Sequence, residues 1–244
     1  MSLKRKVVLI TGGASGIGRA AAVCCAQAGA RVAVADCDRD GVAATIREIE
    51  GSGGEARGFE VDVRAEGEVR TMVDSAARAF GRIDGLIHSA GILEGALVPV
   101  DLFEADTWDR VLDVNLKGSF LLCKHVTPVL ERSDRGVIVL VSSGAGVRGG
   151  SSSAAYGSSK GGVHGLSLVL APQLASRGIR VNALCPGSLD TPLKMEVLRK
   201  QADREGRCLE TMRAGLGKPE GVGRVLAFLV SDDADYVRGT VFTR

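Results

Sequence analysis

Short runs of β-branched and apolar residues alternate with longer helical patterns from one end of this chain to the other, and that alternation fixes the fold class. The strand candidates are Val7–Thr11, Arg31–Ala35, Ala56–Val61, Gly85–His88, Val137–Ser142, Arg180–Leu184 and Thr240–Phe242. Between them, helical periodicity covers Gly16–Ala28, Arg39–Glu50, Glu66–Phe80, Asp106–Glu131, Ala155–Ser176 and Glu220–Val230. Several strands are apolar throughout instead of alternating, as happens when helices cover both faces of a parallel sheet. A doubly wound α/β sheet follows, with ligands expected at the carboxyl ends of its strands.

At 244 residues, 45% hydrophobic and 25% charged, the chain has the composition of a globular protein. We expect one domain over residues 1–244 in place of two small ones. No apolar run approaches the roughly 20 residues that span a bilayer, so no membrane partner is expected. The start, Met1-Ser2-Leu3-Lys4-Arg5-Lys6, leads straight into a strand-like run, which predicts no signal peptide. The 31 basic and 29 acidic residues nearly balance, which argues against a nucleic-acid footprint. The six cysteines form no C-x-x-C pair and have no His at metal-ligand spacing, so no metal site and a reducing cytoplasm are expected. Ser188–Lys218 is too long for an ordinary connection and reads as a substrate-binding loop or lid.

The first strand runs into Thr11-Gly12-Gly13-Ala14-Ser15-Gly16-Ile17-Gly18. Glycines here let the backbone turn tightly and approach a pyrophosphate, at which the following helix aims its first N–H groups. Asp36 closes the second strand, where a carboxylate can accept both adenosine ribose hydroxyls and repel a 2′-phosphate. Ser15 stands where a basic residue would favour NADP, so NAD is preferred, although Arg39 lies close in sequence. Asp62 and Val63, after the third strand, are placed to meet the adenine; a helix N-cap is the equal alternative for Asp62.

From Ser143 to Lys160 the chain places a hydroxyl at the end of a buried strand, then Tyr156 and Lys160 four residues apart on one helix face. A phenol with its ordinary pKa of about 10 is a poor base near neutral pH. A nearby cation lowers that value toward the range that proton transfer uses.

Taken together, Thr11–Gly18, Asp62, Ala90-Gly91, Asn115, Ser143, Tyr156, Lys160 and Pro186-Gly187 resemble the short-chain dehydrogenase/reductase family over essentially the whole chain. The resemblance implies a three-layer Rossmann fold, a seven-stranded parallel sheet of order 3-2-1-4-5-6-7, and nicotinamide-dependent interconversion of an alcohol and a carbonyl. It implies that Tyr156 is the general acid/base and that Lys160 holds the nicotinamide ribose and lowers the tyrosine pKa. Ser143 would fix the substrate oxygen, and Asn115 would anchor a water that relays protons from Lys160. Cofactor contacts are implied at Thr11, Gly12, Ser15, Gly16, Ile17, Gly18, Asp36, Asp62, Val63, Ser89, Ala90, Gly91, Tyr156, Lys160, Pro186, Gly187 and Thr191. A homo-oligomer, dimer or tetramer, is also implied.

The pattern is broken in three places. His88-Ser89-Ala90-Gly91 stands where the family has Asn-Asn-Ala-Gly, so His88 must replace the hydrogen bonds of a strand-tying asparagine or leave them unmade. Pro172 should bend the Tyr156–Lys160 helix beyond the site. The sequence closes on Val241-Phe242-Thr243-Arg244, short of the family's usual tail, which would weaken one subunit contact. The expected pocket walls are Leu93–Val98, Gly144–Ser153 and Ser188 onward, with Leu93, Leu97, Val147, Leu189, Leu193 and Met195 giving an apolar lining. Arg148 could meet a substrate carboxylate or be a surface arginine. The favoured activity is an NAD-dependent secondary-alcohol dehydrogenase acting on a small alcohol or ketone. The alternatives are a 3-oxoacyl-(acyl-carrier-protein) reductase-like NADPH enzyme and a catalytically silent dinucleotide sensor or scaffold.

Overall fold

The structure, a computed structural model, describes residues 1–133 and 135–243; Arg244 lies outside the described residues. Its elements run β1 (Val7–Thr11), α1 (Gly16–Gln27), β2 (Arg31–Asp36), α2 (Arg39–Gly51), β3 (Glu55–Glu60), α3 (Glu66–Phe80) and β4 (Gly85–His88). Then follow α4 (Ala105–Leu112), α5 (Gly118–Leu130), β5 (Gly136–Val141), α6 (Gly144–Val147), α7 (Ala154–Ala175) and β6 (Ile179–Cys185). The last are α8 (Pro192–Glu205), α9 (Leu209–Ala214), α10 (Pro219–Leu229) and β7 (Gly239–Phe242).

The strands form one seven-stranded parallel sheet of order β3-β2-β1-β4-β5-β6-β7. Strand alternation feeds two cores. In β1, Val8 and Ile10 join the apolar layer under α1 and α10, while Val7 and Leu9 join the layer under α3, α5 and α7. In β5, Val137, Val139 and Val141 face the first layer, and Ile138 and Leu140 the second. Fully burying such a side chain contributes roughly 1.5–3 kcal/mol, so these central strands need no polar face. No helix is long and apolar enough to cross a membrane among the described residues.

The chain order reverses between β1 and β4: β2 lies on one side of β1 and β4 on the other. That switch point opens a crevice at the carboxyl ends of the strands, where α/β sheets bind ligands.

The helix expected over Asp106–Glu131 is interrupted. Between α4 and α5, Asp113–Lys117 forms a π-helical turn centred on the buried Asn115. Such turns insert one extra residue and occur often at functional sites. Pro172 sits inside α7, yet the helix continues to Ala175. The carbonyl it leaves without a helical donor belongs to Leu168, on the exposed face. Within Ser188–Lys218 the chain forms two helices, α8 and α9.

Candidate active site

A cavity of about 850 Å³ opens at the switch point, and most of the residues singled out from the sequence line it. Gly12, Ser15, Gly16, Ile17, Asp36, Asp62, Val63, Ser89, Ala90, Gly91, Ser143, Tyr156, Lys160, Pro186, Gly187 and Thr191 are on its wall; Thr11, Gly18 and Asn115 lie behind it.

The glycine turn is made by close backbone packing. A Cβ on Gly18 would fall 2.0 Å from the Gly12 carbonyl oxygen, and one on Gly12, whose φ is +70°, would fall 2.6 Å from the Ala90 nitrogen. These glycines bring the first turn of α1 against the turn at Gly12, and that turn against Ser89-Ala90 just after β4. Ser15 precedes α1 in extended conformation, its side chain makes no capping bond, and no acidic residue occupies the first turn. A twelve-residue helix whose N-terminus faces a cavity with neither cap nor acid is suited to an anion. Asp36 is held on both carboxylate oxygens, by the Ala14 and Asp38 amides at 3.1 Å each. It stands at the end of β2 on the cavity wall, where the cradle fits a nicotinamide dinucleotide. Arg39 begins α2 and is not on that wall.

Asp62 does not cap a helix, because Ala65 is the residue preceding α3. Its carboxylate accepts from the Arg64 amide at 2.9 Å and from the Arg64 guanidinium at 2.6–3.0 Å. Those hydrogen bonds hold the Asp62 carboxyl below its ordinary pKa. Arg64, also on the cavity wall, was not singled out from the sequence.

At the other end, Ser143, two residues past β5, caps α6, its Oγ accepting from the Ala145 amide at 3.2 Å. Tyr156 enters in the first turn of α7, and Lys160 follows one turn later. The Lys160 ammonium is buried and donates to the Val141 carbonyl at 2.8 Å. Burial lowers its pKa to about 8. It lies 5.9 Å from the centre of the Tyr156 ring. Lowering of the Tyr156 pKa by this cation is not what the protein alone displays. Burial pushes the phenol above its ordinary value, and the one opposing influence is a hydrogen bond with Ser143. The ammonium is engaged by a carbonyl, and desolvation of the phenol outweighs the rest.

Asn115 uses its side chain as a clamp. Its Oδ1 accepts from the Ile92 amide at 2.8 Å, and its Nδ2 donates to the Ile92 carbonyl and to Ser159 Oγ, both at 2.9 Å. The Asn115 carbonyl accepts from Ser119 Oγ at 2.6 Å. Its Oδ1 and the Lys160 ammonium each lie 3.2 Å from the point where a Gly91 Cβ would sit, so both polar atoms converge on that side of Gly91.

His88 half-replaces the expected asparagine. Its Nδ1 is 2.6 Å from Thr11 Oγ1 across the β1–β4 pair, but its Nε2 is buried with no partner among the described residues. Burial, assisted by the Lys160 charge, depresses its pKa to about 3, so the ring is neutral.

The substrate end is more polar than expected. Leu93, Leu189 and Leu193 line it, but Leu97, Val147 and Met195 do not, and Glu94, Arg110, Arg148 and Lys194 do. Glu94 and Arg110 pair at 2.9 Å. Leu97 points elsewhere because its backbone, at φ +67°, turns to donate to the Ser152 carbonyl at 2.7 Å. The segment expected as a lid is pinned at its base. Asp190 N donates to the Gly217 carbonyl at 2.8 Å, Gly217 N to the Ser188 carbonyl at 3.0 Å, and Arg213 pairs with Asp190 at 2.9 Å. Thr191 caps α8 and Pro192 takes its first position, a start signal that the sequence carries in plain view. Lys194, in the first turn of α8, is half-buried; burial lowers its pKa.

A family model described as short chain dehydrogenase matches residues 6–202. A 3-oxoacyl-[acyl-carrier-protein] reductase, FabG, of Thermotoga maritima is 39% identical over 241 residues, spanning 99% of this chain and 96% of the relative. The crystal structure of levodione reductase superposes with a TM-score of 0.92 at 34% identity, covering 98% of this chain and 96% of that one. That of NAD+-bound xylitol dehydrogenase gives 0.92 at 32%, covering 99% and 98%. With its sheet order, its glycine cradle and these likenesses along almost its whole length, the chain belongs to the short-chain dehydrogenase/reductase family, oxidoreductases built on a nicotinamide-dinucleotide-binding Rossmann fold.

Proposed function

We propose that this protein interconverts a secondary alcohol and a ketone, with NAD preferred over NADP and Tyr156 as the general acid/base. The observation that carries this reading is one cavity whose wall holds Asp36 and the uncapped start of α1 at one end and Ser143, Tyr156 and Lys160 at the other. Bound there, the dinucleotide supplies the hydride acceptor for alcohol oxidation or the hydride donor for ketone reduction. The turn from Gly12 to Gly18 would cradle its pyrophosphate, Asp36 its adenosine ribose, and Lys160 its second ribose. Asp62, Val63, Ser89, Ala90 and Gly91 would line its path, with Pro186, Gly187 and Thr191 beside the carboxamide.

Ser143 Oγ orients the substrate oxygen, and the Tyr156 hydroxyl takes its proton during oxidation or returns it during reduction. A base must be deprotonated to act, so the raised phenol pKa has to be offset in the loaded site. Ser143 already pulls in that direction, and the positive charges of Lys160 and of the oxidised ring would add to it. Asn115 would place a water between Lys160 and solvent. The helices of Ser188–Lys218 would close over the substrate and exclude water.

NAD is favoured because the anchored Asp36 carboxylate would repel a 2′-phosphate, Ser15 supplies no cation there, and Arg39 is off the wall. The xylitol dehydrogenase with NAD+ bound agrees with this preference. The likeness to the Thermotoga maritima reductase favours the second reading, an NADPH-type 3-oxoacyl carrier-protein reductase. Phe120 on α5 and Leu168 and Val169 on α7 are large apolar side chains left exposed, and a second copy covering them would give the homo-oligomer. The six cysteines are all free, in keeping with a cytoplasmic location.

The test is a panel of secondary alcohols and ketones assayed with NAD(H) and NADP(H) in parallel. Turnover with NAD(H), and an Asp36→Ala variant whose NADH affinity falls roughly 10-fold to 100-fold, would bear the reading out. Preferential use of NADPH would replace it with the second one.

A further inference from the structure

We propose that Arg148 reads a carboxylate on the part of the substrate remote from the reacting carbon, so that the natural substrates are hydroxy acids and keto acids; this rests on the alcohol–ketone reading above. Arg148 follows α6, the short helix that Ser143 caps, and lines the cavity. Its guanidinium carbon lies 3.7 Å from the centre of the Phe242 ring. Stacked so, the group is held by its flat face, and its N–H donors, which lie in the plane, project from the edge.

None of those donors is used. Among the described residues Arg148 has no carboxylate within salt-bridge distance and its side chain makes no hydrogen bond. The other arginines on the cavity wall are each committed, Arg64 to Asp62 at 2.6 Å and Arg110 to Glu94 at 2.9 Å. An arginine fixed by an aromatic face with a free fork presents the geometry that accepts a carboxylate bidentately.

Its place in the sheet separates this role from cofactor binding. Phe242 ends β7, the edge strand beyond β6, and pairs in register with Cys185. The glycine turn and Asp36 lie across β1 and β2, on the far side of β4 and β5. Among the described residues, Lys194 is the other basic group on the cavity wall without a partner. It sits in the first turn of α8, and among the described residues no aromatic ring holds it as Phe242 holds Arg148. Leu189 and Leu193 line the same cavity as Arg148 and Tyr156, and their apolar side chains suit the hydrocarbon body of such a substrate.

The experiment compares linear keto acids of increasing length with their methyl esters, reduced by NADH. The unmodified protein should prefer the best acid over its ester by roughly 10-fold or more in kcat/KM, as a hydrogen bond to a charged group warrants. Arg148→Met, which keeps an apolar contact with Phe242 but no donor, should bring that ratio toward one; Arg148→Lys should retain part of it. A binding arm is independent of turnover. In Tyr156→Phe protein holding NADH, hexanoate should perturb the nicotinamide fluorescence at lower concentration than hexanamide, and adding Arg148→Met should weaken hexanoate roughly 10-fold. If neither acid nor ester is reduced, the alcohol–ketone reading fails, and hexanoate binding still decides the anion site. Equal binding of hexanoate and hexanamide, or an acid-to-ester ratio untouched by Arg148→Met, overturns the proposal.

Discussion

At the β1–β2 end of the cavity, a methyl group added to Gly18 would fall 2.0 Å from a backbone carbonyl; at the β6–β7 end, one added to Gly149 would meet nothing within 4 Å. The first end is built of main chain. Gly12 packs on Ala90, Asp36 hangs from two amides, and the start of α1 offers its own N–H groups. The second end is built of side chains from several elements: Ser143 before α6, Leu193 and Lys194 in the first turn of α8, and Arg148 against Phe242 of β7. Backbone packing tolerates little change, so it suits a ligand that never varies. Side chains on surface segments can be exchanged without disturbing the sheet, so they suit a substrate that differs between relatives.

The sharpest way to break this contrast is Gly18→Ala. The clash is with backbone that cannot turn aside, so the variant should lose about 3 kcal/mol or more of stability and its dinucleotide affinity with it. Thermal unfolding and NADH titration would read both. A variant of full stability would mean that the cradle is as adaptable as the substrate end.

His88 lies between the two ends and carries the next largest effect. Its pKa is depressed from 6.5 to about 3 in the folded protein. The unfolded chain therefore binds a proton that the native state refuses, and stability falls as pH drops from about 6.5 toward 3. The slope for one such group is about 1.4 kcal/mol per pH unit. His88→Asn should flatten this acid limb in denaturant unfolding measured across pH. It should also add on the order of 1 kcal/mol near neutrality by removing the unpartnered Nε2. An unchanged acid limb would show that other groups govern it.

Ser143→Ala should move the alkaline limb. The Ser143 hydrogen bond is what pulls the Tyr156 phenol down against burial, so its removal raises that pKa further. In alcohol oxidation the rise of kcat/KM with pH should then shift to higher pH, apart from any loss of rate. Smallest of all, Gly149→Ala puts a side chain at φ +90° in open space, and only backbone strain opposes it. We expect about 1 kcal/mol, with no effect on NADH binding.

Much of this was legible in the sequence, and the gaps have physical causes. The seven strands fall within a residue or so of where the sequence placed them, and in the five central ones, β2, β1, β4, β5 and β6, burial on both faces leaves an unmistakable pattern. The π-helical turn at Asp113–Lys117 was not legible. Its residues suit an ordinary helix, and its Asn115 clamps Ile92, a contact spanning 23 residues that periodicity does not register. Likewise the spacing of Tyr156 and Lys160 put both on one wall, yet it did not show that the Val141 carbonyl would take the ammonium. The polar pocket end was missed for the same reason. Glu94, Arg110 and Lys194 reach the cavity through loop and helix geometry, whereas the apolar residues between them looked like its natural lining.

The central claim is that the two ends meet at one phenol. It is tested most directly by measuring NADH affinity and ketone reduction together in unmodified and Tyr156→Phe protein. The account predicts NADH bound within a few-fold of the unmodified affinity and reduction slowed by roughly 10²–10⁴. Equal turnover by the variant, with NADH bound, would contradict it.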